Sequence, residues 1–222
     1  FAEAFRGERR PGEGFGAWYR REVLGAVTRT RLPIGVMAIV LLVGTGVGYA
    51  EAGQYRLPEE LTRDVAFGDV ASRFDETGIS SLSGALWIFL NNVRAIGLAS
   101  LAGMASWGVL ALLLLMLPLG IAGFLSGQLA SFGVNGAVFF SAFVLPHGVF
   151  EIPAALIAGG AILRMSTIFL APPPGRSIGE AWLLSVADWA RIYLLVVVPL
   201  LFLAAFAEAF ITPQVVVAVL GR

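Results

Sequence analysis

The stretch VLALLLLMLPLGIAGFLSGQLA, residues 109–130, decides the fold: it contains no Asp, Glu, Lys or Arg, and its polar side chains are Ser126 and Gln128 alone. As a helix it is about 33 Å long, enough to cross a hydrocarbon core of roughly 30 Å. A helix at the surface of a soluble globule needs a polar face, and this one has none. Its solvent is therefore lipid.

The rest of the chain agrees. Hydrophobic residues make up 58% and charged residues 14% of the 222 positions, a balance that a soluble domain of this size cannot hide from water. The fifteen basic residues are all arginines, and the fifteen acids bring the formal charge to zero, which argues against a nucleic-acid partner. The absence of cysteine removes disulfides, thiolate catalysis and Cys-type zinc sites together. A start at Phe1 rather than Met is compatible with a signal or upstream region. No repeat or low-complexity segment stands out.

Runs of roughly 20 apolar residues mark the spans. They fall at about 32–49, 82–103, 109–130, 134–162 and 192–211. The expected fold is all-α: a polytopic helical bundle of about five transmembrane helices, the fourth broken by prolines. The arm 1–31 holds seven arginines against four acids, and the loop between the first two spans holds three arginines against seven acids. The positive-inside bias puts the arm in the cytoplasm and the acidic loop at 50–81 outside, in a multi-pass protein of the cell membrane. Counting crossings returns Arg164 and Arg176 to the cytoplasmic side. The transmembrane domain is read as 32–213, followed by a tail at 214–222. In the arm, Tyr19, Val23, Leu24 and Val27 recur at helical spacing, which suits either an interfacial helix or a solvated juxtamembrane one. The acidic loop has room for a short helix.

The fourth span is too long for one straight crossing. Pro146 and Pro153 are the expected breakers, because each lacks an N–H and leaves the carbonyls of Ala142 and Val149 without helical donors. Lipid cannot supply replacements, so this backbone should lie within protein or face a wet cavity.

Asn91, Asn92 and Arg94 fall near the middle of the second span, where an arginine costs roughly 2.5–3.5 kcal/mol on insertion scales. His147 and Glu151 lie four apart on one face of the fourth span, at similar depth. An Arg94–Glu151 pair would neutralise both charges. The five side chains form the candidate intramembrane polar site, with interhelical glue as the alternative reading. One histidine and one carboxylate are two ligands where a catalytic zinc takes three from protein, so no metal or cofactor is expected. Nothing marks Ser141 as a nucleophile activated by His147.

Small residues recur four apart at Ala95, Ala99 and Gly103 and at Gly123 and Gly127, with Gly159 and Gly160 adjacent in the fourth span. Such spacing lets helices approach closely, within one chain or across a homo-oligomer. Gly44, Gly46 and Gly48 lie two apart and form no single stripe.

Three stretches, FLNNVRAIGLASLAG at 89–103, LPHGVFEIPAALIAGGAILRM at 145–165 and AEAFITP at 207–213, resemble the stage II sporulation protein M family in order and spacing. The resemblance covers roughly 86–213. It carries the family's shared residues onto Asn91, Asn92, Arg94, Pro146, His147, Gly148, Glu151, Pro153, Glu208 and Pro213, and so adds Glu208 to the candidate site. It implies a helical membrane protein without recognised enzymatic activity. The family's namesake in endospore formers anchors cell-wall hydrolases at the septal membrane, and similar proteins occur in bacteria and archaea that make no spores. The leading expectation is a scaffold in the lipid bilayer that organises envelope partners, cell-wall hydrolases among them. A transporter or channel with a polar midplane site and an intramembrane metal-dependent hydrolase are the alternatives.

Overall fold

A computed structural model describes residues 10–58, 76–170 and 173–220. Among them there are seven helices and no strand. We label them α1 (15–29), α2 (Arg31–Glu51), α3 (Leu82–Ala105), α4 (Val109–Ala130), α5 (Gly136–Thr167), α6 (Ile178–Phe210) and α7 (Thr212–Leu220). Helices α2 to α6 are the five long and apolar enough to cross a membrane. Most of the acidic loop, and with it any helix expected there, lies outside the described residues.

The fourth span departs from expectation: α5 is one continuous helix of 32 residues that runs through both Pro146 and Pro153. A proline removes one main-chain bond and crowds the preceding turn, but the turns around it stay bonded, so the helix is not broken. At about 48 Å it exceeds the hydrocarbon core, a mismatch that tilt or projection into the interface absorbs. Among the described residues, no side-chain hydrogen bond reaches the carbonyl of Ala142 or Val149.

The fifth span starts earlier than hydropathy suggests, at Ile178 rather than near 192. Ser177 begins it with a capping box, its hydroxyl accepting from the Glu180 N–H while the Glu180 side chain accepts from the Ser177 N–H. Asp188 and Arg191 lower the apolar signal of this first half, yet both are paired.

The chain divides into two compact units. The first is drawn from Phe1–Ile39, Ala95–Leu115 and Ala154–Leu200. Here the face of α1 that carries Val23 and Ala26 packs against α6, and both residues are fully buried. The turn Tyr193–Val197 of α6 is a π-helix, and Pro199 follows it. Pro199 has no N–H to give the Leu195 carbonyl four residues back, and the Tyr19 hydroxyl donates to that carbonyl instead, at 3.1 Å. Gly160 lies against Ile34 of α2, and Gly103 against Ile162 of α5.

The second unit comprises Val40–Arg94, Met116–Pro153 and Leu201–Arg222. Helix α3 meets α6 through Ala85, Ile88, Ala205 and Ala209. Helices α2 and α4 touch backbone to backbone: a Cβ on Gly48 would strike the Gly120 carbonyl, and one on Gly123 would strike the Thr45 carbonyl. Gly44 and Gly48, one helical turn apart, share the face against α4, while Gly46 points to open space, so the three form no single stripe. Beyond the end of α2, the fully buried Gln128 donates from Nε2 to the carbonyls of Ala52 and Tyr55 at 2.8 and 2.6 Å and accepts from the Leu57 N–H at 3.3 Å. One side chain so satisfies backbone groups that the helix end leaves open.

Candidate functional site

Helical spacing puts His147 and Glu151 on one face of α5, with His147 Nε2 at 3.6 Å from Glu151 Oε2. Near the end of α6, Glu208 turns toward them. The potential ligand atoms of His147, Glu151 and Glu208 all lie within 4.8 Å of one another. On the other side of the imidazole, Nδ1 is 3.2 Å from the Thr212 hydroxyl, which is in turn 3.3 Å from the Ala207 carbonyl. Thr212 is buried. The turn between α6 and α7 places it there, with the Ile211 N–H donating to the same Ala207 carbonyl.

The other expected members do not join. Arg94 is exposed, and among the described residues it forms no ion pair with Glu151 or with any other carboxylate. Helix α3 buries Ala85, Ile88, Ile96 and Ala99, a stripe that leaves Asn91 and Arg94 pointing away from it. The expected Arg94–Glu151 pair does not form. Neither Asn91 nor Asn92 makes a side-chain hydrogen bond among the described residues. Ser141 lines a cavity of about 330 Å³ with Ala137, Val138 and Val215, and His147 is not part of that lining. Pro146 and Pro153 flank the cluster inside α5 without ending it.

Two carboxylates in a membrane-spanning region are costly, each on the order of 2.5–3.5 kcal/mol near a helix centre. Among the described residues no arginine is paired with Glu151 or Glu208. A proton or a cation held between them and His147 Nε2 is what the arrangement can accommodate chemically.

Sequence reading missed a second polar constellation, in the first unit, centred on the buried Asp188 of α6. Arg29 grips this carboxylate with both Nε and Nη2, at 3.1 and 2.8 Å. Arg164 Nη1 reaches it at 2.7 Å and Arg191 Nη1 at 3.3 Å. Arg191 also faces Glu22 at 3.5 Å, Glu22 pairs with Arg21, and Arg21 holds Glu13 through two bonds of 3.0 and 2.9 Å. Ion pairs therefore connect the arm to α5 and α6. The available signal was an acid inside an apolar helix three residues before an arginine.

No curated protein and no solved structure matches this chain. The family model for Stage II sporulation protein M matches residues 37–213, and so extends beyond the quoted stretches to take in most of α2 and the acidic loop. With well over half of its length matched, this multi-pass membrane protein belongs to the stage II sporulation protein M family.

Proposed function

We propose that the chain is a membrane scaffold that gathers envelope proteins, cell-wall hydrolases among them, with the arm 1–31 in the cytoplasm and the acidic segment 50–81 outside. Family membership across 37–213 is the observation that carries this reading. The charge asymmetry of arm and loop supports the orientation, and the acidic segment offers a polar surface to external partners. Helices locked backbone to backbone at Gly48 and Gly123 suit a platform that holds others in place. A photo-crosslinking residue introduced in 50–81 of the full chain, followed by mass spectrometry, tests it. Cell-wall hydrolases should be enriched over a crosslinker placed at residue 20, on the opposite side. Equal recovery from both positions would remove the reading.

The convergence of His147, Glu151 and Glu208 favours a second reading, a carrier or channel with its polar site inside the membrane. Proteoliposomes would then show cation flux that Glu208→Gln abolishes, and a scaffold alone would show none.

A further inference from the structure

The hydrogen bonds of Thr212 favour one tautomer of His147. The Thr212 hydroxyl has one proton, and with the Ala207 carbonyl at 3.3 Å as its acceptor, its lone pair is left to receive His147 Nδ1–H at 3.2 Å. In the neutral imidazole, Nε2 is then a bare lone pair, and it faces Glu151 Oε2 at 3.6 Å. Two groups that are both acceptors when unprotonated face each other, so a proton or a cation belongs between them. Glu208 brings a third, and among the described residues no arginine pairs with either carboxylate. We propose that His147 Nε2, Glu151 and Glu208 together bind one divalent cation of the zinc class.

The donor set selects that class. One imidazole nitrogen and two carboxylates suit a borderline ion that accepts nitrogen and oxygen, whereas calcium and magnesium prefer all-oxygen shells and soft ions require thiolates, absent from a chain without cysteine. Charge balance agrees, because a divalent ion cancels two carboxylates where hydrocarbon penalises any residual charge. The geometry is close: metal bonds of about 2.0–2.2 Å put tetrahedral donors about 3.4 Å apart, so the 3.6 Å pair already matches and a carboxylate rotation closes the remainder of a 4.8 Å cluster. Three protein ligands leave the fourth position to water or another donor. Thr212 acts as a positioning residue, holding the imidazole by its far nitrogen, the usual outer-shell arrangement of a ligating histidine. Bound there, the ion would tie α5 to α6. This assignment goes beyond the scaffold reading and does not depend on it.

The test uses the full chain in mild detergent, stripped with a chelator and reloaded with Zn²⁺. Elemental analysis should find about one zinc per chain, and Co²⁺ in its place should give the visible absorption of a tetrahedral site. Glu151→Gln and Glu208→Gln conserve size and should each weaken Zn²⁺ at least about tenfold in chelator competition. Thr212→Val leaves all three ligands in place and should weaken it roughly 10–100-fold. Circular dichroism and gel filtration verify folding of each variant, and if His147→Ala fails them the two isosteric glutamine substitutions decide. Absence of Zn²⁺ binding to the wild-type chain at micromolar free metal would overturn the proposal. So would glutamine variants that bind as tightly as wild type.

Discussion

The hydroxyl of Tyr19 donates to the carbonyl of Leu195, the one carbonyl in that turn of α6 that Pro199 leaves without a donor four residues on. The arm is thereby fastened to a weak point in a membrane helix. Tyr19→Phe should cost about 0.5–1.5 kcal/mol, the worth of one intramolecular hydrogen bond. In a Pro199→Ala background the alanine N–H can serve the carbonyl itself, and the cost of Tyr19→Phe should shrink. Detergent melting of the four proteins in this cycle measures the coupling. Equal losses in both backgrounds would show that the bond does not compensate for the proline.

Asp188 gathers Arg29, Arg164 and Arg191 around one buried carboxylate. Asp188→Asn leaves Arg29 and Arg164 without their counter-charge and Arg191 with Glu22 alone, and the loss should be on the order of 3 kcal/mol. Arg29→Gln should cost far less, at most about 1 kcal/mol, because its side chain is 46% exposed and two arginines remain on the acid. Thermal unfolding in detergent ranks the two. A reversed order would mean that Asp188 is held by packing rather than by charge.

The Glu13 carboxylate lies well below its ordinary range, at about 2 instead of 4.5, chiefly because Arg21 hydrogen-bonds to it. With the folded value depressed, its contribution is present above about pH 4.5 and is lost as the pH falls toward 2. The start of α1 should therefore loosen in that window. Backbone protection factors around 13–21, that is exchange rates divided by the intrinsic rate at each pH, should fall on acidification from pH 5 to pH 3, and in Glu13→Gln they should already be low at pH 5. Protection factors independent of pH in the wild-type chain and unchanged in Glu13→Gln would contradict the assignment.

The absence of cysteine makes topology simple to measure. Ser80→Cys precedes α3 and Ser177→Cys precedes α6, and three crossings separate them. In intact cells a membrane-impermeant thiol reagent should label the first and spare the second. Labelling of both from outside would require one of the intervening helices not to cross.

Much of this architecture is legible in the linear chain, and the reason is that a bilayer asks a one-dimensional question. Whether residues 109–130 can cross depends on their length and polarity alone, and the predicted limits coincide with α4. The start of α6 was obscured because Asp188 and Arg191 look prohibitive until their partners are known. Proline was overweighted in α5, where one missing hydrogen bond does not outweigh the bonded turns on either side.

What the sequence by itself determined is position along the helices: which of them are long and apolar enough to cross a bilayer, and that His147 and Glu151, four apart on one helix, share a face. Tertiary structure alone decided azimuth and neighbour. It rotated Arg94 away from Glu151, brought Glu208 to His147, and joined Arg29 to Asp188 across 159 positions of chain. Position along a helix follows from counting residues at a fixed helical rise, whereas the direction a side chain points around its helix, and what it meets there, depends on how every small and large residue of the neighbouring helices packs at once.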